Sequence, residues 1–428
     1  MNPGFGLPGA AGGKAAAAAA YPAAYPAPLS AAPRRTPAAG RIFLGMLSRL
    51  RIGHLTVVLP SGERLHCGNA QGTPAAELRL HDWRACGRIL SAGDIGFGDA
   101  LRRGWVDSPD LTALLRLAIC NEAAIESAVW GGRLLRLWYR IHHALRPNTR
   151  AGSRENIQAH YDLGNSFYGL WLDDSWTYSG ALFQGDFSTT LADAQHAKYQ
   201  RVIDVLKLQP GMRVLEIGCG WGGFARYAGE RGIAVHGVTI SPAQLEIGRR
   251  RIADAGLEHL ARLELRDYRD IDGQYDAIVS IEMFEAVGFA YWDRWFQSLN
   301  RLLAPRGRAL VQSITIANDR FARYRSSSDF IRHFIFPGGM LPSVKRFIAS
   351  AVGNGLVTRD ILAFGKDYAE TMRRWRHQFD AAREAIVAQG FDDVFLRTWR
   401  LYLAYCEAGF EEGRTDVMQF LLERREAR

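Results

Sequence analysis

The chain has 428 residues, of which 48% are hydrophobic and 23% are charged, and it carries a formal net charge of +9. That length allows several domains with large cores, and the charge favours a nucleic acid, an anionic membrane surface or acidic substrates as partners. Five scattered cysteines form no Cys-x-x-Cys pair and no apolar run approaches the roughly 20 residues that span a bilayer, which argues against a disulfide framework, a zinc site or a membrane span. We therefore expect a cytoplasmic protein without metal ligands, whose membrane contact is peripheral.

The first part of the chain contains three compositionally distinct segments. Residues 1–40 are rich in Ala, Pro and Gly and predict a disordered tail. Residues 41–120 predict a small α+β domain: LTVVLPSGERLHCG reads as two strands around a turn, and AELRLHDWRACGRILSAG as a strand and a helix. The stretch DIGFGDALRRGW predicts a glycine-rich loop followed by a short helix, and Ser108-Pro109-Asp110 begins a further helix. Residues 121–153 predict a basic amphipathic helix and a linker.

Residues 154–428 predict an α/β domain. The short apolar runs RVLEI, AVHGVTI, RLELRD, YDAIVSI and GRALVQSITI alternate with helical stretches. This alternation indicates a mostly parallel sheet covered by helices, which binds its ligand beyond the carboxyl ends of the first strands. After the fifth strand, residues 318–347 mix Arg and Lys with Phe and Ile at near-helical spacing, which is typical of a solvated helix with one buried face and, in a protein that binds lipid, of a helical lid.

The stretch VLEIGCGWGG, at the end of the first of these strands, indicates the cofactor. It satisfies the G-x-G-x-x-G spacing of a dinucleotide site, but Thr239 stands where such a site needs an acidic residue. Glu216 precedes the glycines, where a carboxylate is costly unless it faces a polar ligand. The spacing E-x-G-x-G-x-G, from Glu216 to Gly222, resembles the first motif of methyltransferases that use S-adenosylmethionine (SAM), a cofactor with an ammonium group.

A more specific resemblance rests on four ordered motifs. They are NIQAHYDLGNSFYGLWLDDSWTYSGALF, GVTISPAQ, DYRDIDGQYDAIVSIEMFEAVG and FIRHFIFPGGMLPS. Together they resemble the cyclopropane-fatty-acyl-phospholipid synthases and the related mycolic acid methyltransferases, over residues 41–420. The resemblance implies a Rossmann-like SAM domain with a lipid-binding amino-terminal domain, homodimers, and attachment to the inner face of an anionic membrane.

The implied reaction transfers the methyl group of SAM to the cis double bond of an unsaturated phospholipid acyl chain. Loss of a proton from the resulting carbocation then closes a cyclopropane ring. The SAM contacts that the motif and the resemblance imply are Tyr178, Ser179, Glu216, Gly218, Gly220, Gly222, Thr239, Gln244, Asp267 and Tyr268. Within this set, Tyr178 and Ser179 match residues near the methionine carboxylate, and Asp267 and Tyr268 fall where the family binds adenine.

In the family the base is held to be a bicarbonate ion bound by a Cys, a Glu, a His, a Tyr and a backbone amide. The resemblance carries three of these contacts to Glu285, Tyr368 and the amide of Ile314, whereas Gly180 replaces the Cys and Gln312 the His. The altered contacts weaken the expected binding of the anion by about 1–3 kcal/mol for each lost hydrogen bond. They leave open a base role for Glu285 and a methylene- or methyl-branched product.

Nine aromatic residues are candidates for the walls that would stabilise the carbocation, although aromatics are equally good core residues. They are Tyr161, Phe167, Tyr168, Trp171, Trp176, Tyr178, Phe330, Phe334 and Phe336. Two alternatives from other classes remain open, namely a nucleic-acid methyltransferase and an inactive lipid-binding protein. The first usually has an Asn/Asp-Pro-Pro-aromatic tetrapeptide or a catalytic Cys where this chain reads IEMFEAVG, so no nucleic acid is expected.

Overall fold

The computed structural model describes residues 36–126 and 163–425. Residues 1–35 of the predicted tail, most of the predicted basic helix and linker, and Tyr161 lie outside the described residues. The last part of the predicted tail is wrong, because residues 38–40 form the start of a helix, Ala38–Leu47, in which Gly40 is buried. None of the described helices combines the length and the apolar character that crossing a bilayer requires.

The amino-terminal region is a four-stranded sheet with helices, in the strand order β2-β1-β3-β4. Its elements are α1 (Ala38–Leu47), β1 (His54–Val58), β2 (Arg64–Gly68), β3 (Ala75–Leu80), α2 (Arg84–Arg102), β4 (Val106–Asp107), α3 (Leu111–Cys120) and α4 (Glu122–Glu126). The predicted hairpin and the helix start are confirmed: β1 pairs with β2 in antiparallel orientation, and the Asp110 side chain caps α3 by accepting from the amide of Ala113.

The glycine-rich loop predicted at the start of DIGFGDALRRGW is wrong, whereas the helix predicted after it is confirmed as the last part of α2. Helix α2 runs through this stretch and is interrupted only at Gly93, which has φ 58° and ψ −130°. Gly98 serves close packing instead of a turn, because a Cβ atom there would lie 2.5 Å from the ring of Phe330. The glycine content was therefore a sign of helix packing.

The second region contains a seven-stranded sheet in the order β10-β11-β9-β8-β5-β6-β7. Its strands are β5 (Arg213–Ile217), β6 (Ala234–Thr239), β7 (Ala261–Leu265), β8 (Tyr275–Ile281), β9 (Leu303–Ile316), β10 (Leu356–Ala363) and β11 (Thr415–Arg424). Strands β5 to β9 pair with one another in parallel orientation, as predicted, and they correspond to the five predicted runs. The antiparallel strands β10 and β11 extend the sheet beyond β9 and make it mixed.

The helices of this region cover the sheet and close its carboxyl edge. They are α5 (Asn165–Tyr168), α6 (Leu191–Leu206), α7 (Gly223–Gly229), α8 (Pro242–Asp254), α9 (Trp292–Leu302), α10 (Phe321–Ser326), α11 (Val344–Gly353), α12 (Gly365–Ala381), α13 (Arg383–Ala388) and α14 (Asp393–Glu411). The predicted lid contains α10, a π-helical turn (Ile331–Ile335) and the start of α11.

One hydrophobic cluster joins the two regions. It includes Leu101 and Leu117 of the amino-terminal helices together with Trp399 and Leu403 of α14, all of them buried. A buried polar contact lies beside it, because Thr112 donates a hydrogen bond of 3.0 Å to Glu407 on α14. The two regions therefore share a core.

Candidate active site

The glycine loop turns the chain from β5 into α7. Gly218, Gly220 and Gly222 all adopt positive φ angles, of 86°, 51° and 77°. The amides of Gly218 and Cys219 donate to the carbonyl of Val238 at the end of the neighbouring strand, with distances of 2.9 and 3.0 Å. Only glycine adopts this backbone without strain, so the residue type follows from the conformation of the loop.

Glu216 lies just before this loop with only 4% of its surface exposed. The backbone amide of Ala225 hydrogen-bonds to its carboxyl group, but its Oε2 atom has no hydrogen-bond partner among the described residues. Burial raises the pKa of Glu216 well above its usual value. An unpartnered, buried carboxyl oxygen beside a glycine loop fits the ammonium group of SAM, since a cationic partner would offset its desolvation.

Nine of the ten predicted SAM contacts line one cavity of about 950 Å³, and Gly222 is the exception. Gly222 instead packs near Leu263, where a Cβ atom would come within 3.1 Å of the leucine side chain. Thr239, at the end of β6, accepts from the amide of Ser241 and donates to Gln244 of α8, which links the two predicted ribose partners. The carboxylate of Asp267 forms an ion pair of 2.5 Å with Arg269, and its contact with adenine remains a prediction.

The same cavity continues away from the glycine loop into an apolar region. Ala92, Ile95, Leu115 and Ile119 of the amino-terminal helices line it, opposite residues of the predicted lid. Of the nine candidate aromatic residues, Trp176, Tyr178 and Phe336 line the cavity. Phe167, Tyr168, Trp171 and Phe330 are fully buried members of the hydrophobic core.

The predicted lid contacts the amino-terminal region directly. Arg320, at its start, forms an ion pair of 2.5 Å with Glu122 of α4, and the same carboxylate pairs with Arg414 at 3.0 Å. Arg325 lies over the ring of Phe289, with its guanidinium carbon 4.9 Å from the centroid. Two of the lid arginines are therefore engaged within the protein.

A buried lysine that the sequence reasoning missed lies beside the methionine end of the predicted SAM site. Lys198, on α6, donates to Ser179 Oγ and to Gln195 Oε1, both at 2.6 Å. Burial lowers its pKa to about 7, against the attraction of nearby carboxylates, Glu282 first. Tyr178, next to Ser179, forms a hydrogen bond of 2.6 Å with Tyr402 of α14.

The residues expected to bind bicarbonate come together, but they bind carboxylates of the chain itself. Three of their donors contact Glu282: the Gly180 amide at 2.8 Å, Gln312 Nε2 at 2.8 Å and the Tyr368 hydroxyl at 2.5 Å. The fourth, the amide of Ile314, donates to Glu285 at 2.5 Å. The expected bicarbonate cradle therefore does not fit this structure, because its donors are engaged.

Glu282, three residues before Glu285, is not among the site residues predicted from the sequence. The available signal was position, because Glu282 immediately follows the apolar strand YDAIVSI, at the carboxyl edge where α/β proteins bind their ligands. Glu282 has a positive φ of 50°, which is uncommon for a residue other than glycine. Strained backbone of this kind is concentrated at functional sites.

The buried Glu285 gives a pH-dependent contribution to stability. Burial, together with the charge of Glu282, raises its pKa to about 8, against about 4.3 in an unfolded chain. Between about pH 4.3 and about pH 8, the carboxyl group of Glu285 is therefore protonated in the folded protein and ionised in the unfolded chain. Its contribution to the free energy of unfolding is fully present below this range and is lost as the pH rises through about 8.

We expect Glu285→Gln to remove this loss. Relative to the unaltered protein, the free energy of unfolding of the variant should rise between about pH 5 and about pH 8 and then level off. Urea unfolding across this range measures the difference. Glu258→Gln, at an exposed glutamate, is the matched control. Its free energy of unfolding should change with pH in the same way as that of the unaltered protein. A parallel profile for Glu285→Gln would contradict the assigned pKa.

The class of protein follows from these features together. A mixed α/β sheet with a glycine loop after its first parallel strand, a buried acidic residue before the loop and a cavity at the carboxyl edge define a SAM-dependent methyltransferase. Residues 148–420 match the family described as "Mycolic acid cyclopropane synthetase". The chain belongs to this family of lipid-modifying enzymes, which also includes the cyclopropane-fatty-acyl-phospholipid synthases.

Similar proteins agree with this assignment. The tuberculostearic acid methyltransferase UfaA1 of Mycobacterium tuberculosis is 38% identical over 406 residues, which are 90% of this chain and 92% of the relative. The cyclopropane-fatty-acyl-phospholipid synthase of Escherichia coli K12 is 33% identical over 356 residues, 82% of this chain and 89% of the relative. A crystal structure of mycolic acid cyclopropane synthase CmaA1 with SAH and CTAB has a TM-score of 0.59 and 33% identity, and covers 63% of this chain and 98% of its own. SAM is thus the cofactor.

Proposed function

We propose that the protein transfers the methyl group of SAM to the cis double bond of an unsaturated acyl chain in a membrane phospholipid. The observation that carries this proposal is the continuous cavity, which runs from the glycine loop to apolar residues of α2, α3 and the lid. Its volume of about 950 Å³ is ample for a segment of acyl chain beside a cofactor. The net charge of +9 supports peripheral association with an anionic inner membrane surface.

The residues of the cavity suit the chemistry of a carbocation. Bound SAM supplies an electrophilic methyl group, which an isolated and weakly nucleophilic alkene requires. Tyr178, Phe336 and Tyr402 line the cavity, and a ring face beside a desolvated cation contributes about 2 kcal/mol. Apolar residues such as Ile95 and Leu115 line part of the cavity, and an acyl chain packed against them would keep water from capturing the cation.

We propose that the product is a cyclopropane ring, formed when a proton leaves the transferred methyl group. A second candidate is a methylene-branched chain, which forms if a hydride first moves along the acyl chain and the methyl group then loses its proton. This candidate is favoured by the relative that is 38% identical, because it is named as a methyltransferase and not as a cyclopropane synthase.

The test combines the protein, SAM with a labelled methyl group, and vesicles of cis-monounsaturated phosphatidylglycerol, followed by proton NMR of the released acyl chains. We expect high-field ring protons, whereas vinylidene protons would establish the second candidate. The two products are isomers, so mass alone does not distinguish them. Vesicles of saturated phosphatidylglycerol are the matched control. Absence of labelled lipid from both vesicles would overturn the proposed function and favour an inactive lipid-binding protein.

A further inference from the structure

The position that the resemblance assigns to bicarbonate is filled by a side chain of this protein. The Glu282 carboxylate lies on the wall of the cavity and accepts two hydrogen bonds at Oε1, from Gly180 and Gln312, and one at Oε2, from Tyr368. A carboxylate has about four lone pairs, so the three donors supplied by the described residues leave one lone pair open. Bicarbonate and carboxylate share the same O–C–O group, and the same donors suit both.

We propose that Glu282 is the base that removes the proton from the transferred methyl group, in place of a bicarbonate ion. This inference rests on the proposed function and assigns its final step to a residue of the chain. The two departures from the family pattern then have a common explanation, because neither a Cys at position 180 nor a His at position 312 is needed to hold a free anion.

The orientation of the donors supports this role. Gln312 Oε1 accepts a hydrogen bond of 3.0 Å from Gln419, which directs its Nε2 group towards Glu282. The opposite amide orientation would set a carbonyl oxygen against the carboxylate. The backbone amide of Glu282 also donates to the backbone carbonyl of Gln312 at 2.9 Å. A backbone and a side-chain hydrogen bond therefore hold these two residues together.

The two neighbouring glutamates differ in what stabilises their charge. Burial raises the pKa of Glu282, but the Lys198 charge and the three donors oppose that rise. At Glu285, burial and the negative charge of Glu282 act in the same direction and raise the pKa to about 8. Near neutral pH, Glu285 is therefore mainly protonated, and Glu282 is the better placed of the two to accept a proton.

The step balances without another reactant. The alkene takes the methyl group from SAM, which leaves as the neutral thioether, and a carbocation forms on the acyl chain. Glu282 takes one proton from the added methyl group, and the electron pair of that C–H bond closes the ring. The carboxylic acid then releases its proton to solvent, which restores the carboxylate.

The experiment measures methyl transfer to cis-monounsaturated vesicles in buffer freed of carbon dioxide, with and without added bicarbonate. We expect the unaltered protein to be indifferent to bicarbonate and Glu282→Gln to lose at least about 100-fold in rate, the effect of removing a general base. The affinity for SAM, measured by calorimetry, should change less than about threefold for this near-isosteric variant. Glu246→Gln, at a carboxylate that is 70% exposed, is the matched control and should retain the full rate.

A second variant distinguishes a catalytic role of Glu282 from a purely structural one. Glycine adopts the positive φ of residue 282 without strain, so Glu282→Gly should preserve the backbone conformation. It also removes the carboxylate, which leaves its three hydrogen-bond donors free to bind an added anion. We expect added formate or bicarbonate to raise its rate at least about tenfold, with no effect on the unaltered protein. Failure of both anions to do so would overturn the inference.

Two further outcomes separate this inference from the proposed function. Lipid product from the unaltered protein, with Glu282→Gln within about threefold of its rate, would overturn the inference alone. A requirement of the unaltered protein for added bicarbonate would do the same. Absence of any lipid product from the unaltered protein would overturn the proposed function, and the inference with it.

Discussion

Replacement of Gly180 by alanine should lower the rate of methyl transfer about 10- to 100-fold and leave the affinity for SAM nearly unchanged. A Cβ atom at this position would lie 2.8 Å from Cδ1 and 2.9 Å from Cγ of the Tyr368 ring. The movement of this ring is restricted, because it stacks on Phe410 with a centroid distance of 4.4 Å. Displacing it breaks the hydrogen bond to Glu282, and a hydrogen bond to a charged group is worth about 1.5–3 kcal/mol.

Initial rates with labelled SAM and unsaturated vesicles measure this effect. Gly180→Cys introduces the residue of the family pattern. Its rate of methyl transfer should fall at least as far as that of Gly180→Ala, because it carries the same Cβ atom. Gly45→Ala is the matched control, since no atom lies within 4 Å of the added Cβ on α1. An unaltered rate in Gly180→Ala would show that the position of Tyr368 is not needed for the reaction.

Replacement of Gly218 by alanine should weaken the binding of SAM by at least about 30-fold. The residue has a φ of 86°, where a side chain costs about 1–2 kcal/mol, and its Cβ atom would lie 2.9 Å from Cβ and Cγ of Met283. Relief of this contact must shift either the glycine loop or the segment that carries Glu282. To bind SAM, the displaced loop must return to its present position, and a cost of about 2 kcal/mol for that return corresponds to the expected loss of affinity.

Calorimetric titration with SAM measures this prediction directly. Gly211→Ala is the control, because Gly211 has a similar φ of 89° but open space around the added Cβ atom. That variant should lose stability through backbone strain and bind SAM normally. Equal affinities of Gly218→Ala and the unaltered protein would refute a role of the loop in binding the cofactor.

The sequence predicted the parallel strands and the glycine loop because both depend on local patterns. Apolar runs of strand length and the E-x-G-x-G-x-G spacing are visible within a few residues. Strand β11, TDVMQFLLER, was not predicted, and its antiparallel pairing with β9 depends on contacts about 100 residues away along the chain.

The role of Glu282 is of a different kind, because it depends on three donors that are distant in the chain. Gly180 lies 102 residues before it and Tyr368 lies 86 residues after it. Lys198 was missed for a related reason. It follows the buried face of α6, but a lysine in an amphipathic helix ordinarily predicts an exposed side chain, and only the packing of the helix shows otherwise.

The core shared by the amino-terminal helices and α14 bears on how the chain folds. Leu101, Leu117 and Trp399 belong to one buried cluster, and the lid ring of Phe330 packs against Gly98 of α2. Removing the amino-terminal region would expose this apolar surface to water and open a wall of the cavity. The match to the family begins only at residue 148. Because the core is shared, however, we expect both regions to unfold together in one cooperative transition. Insertions or fusions should be best tolerated outside this shared core.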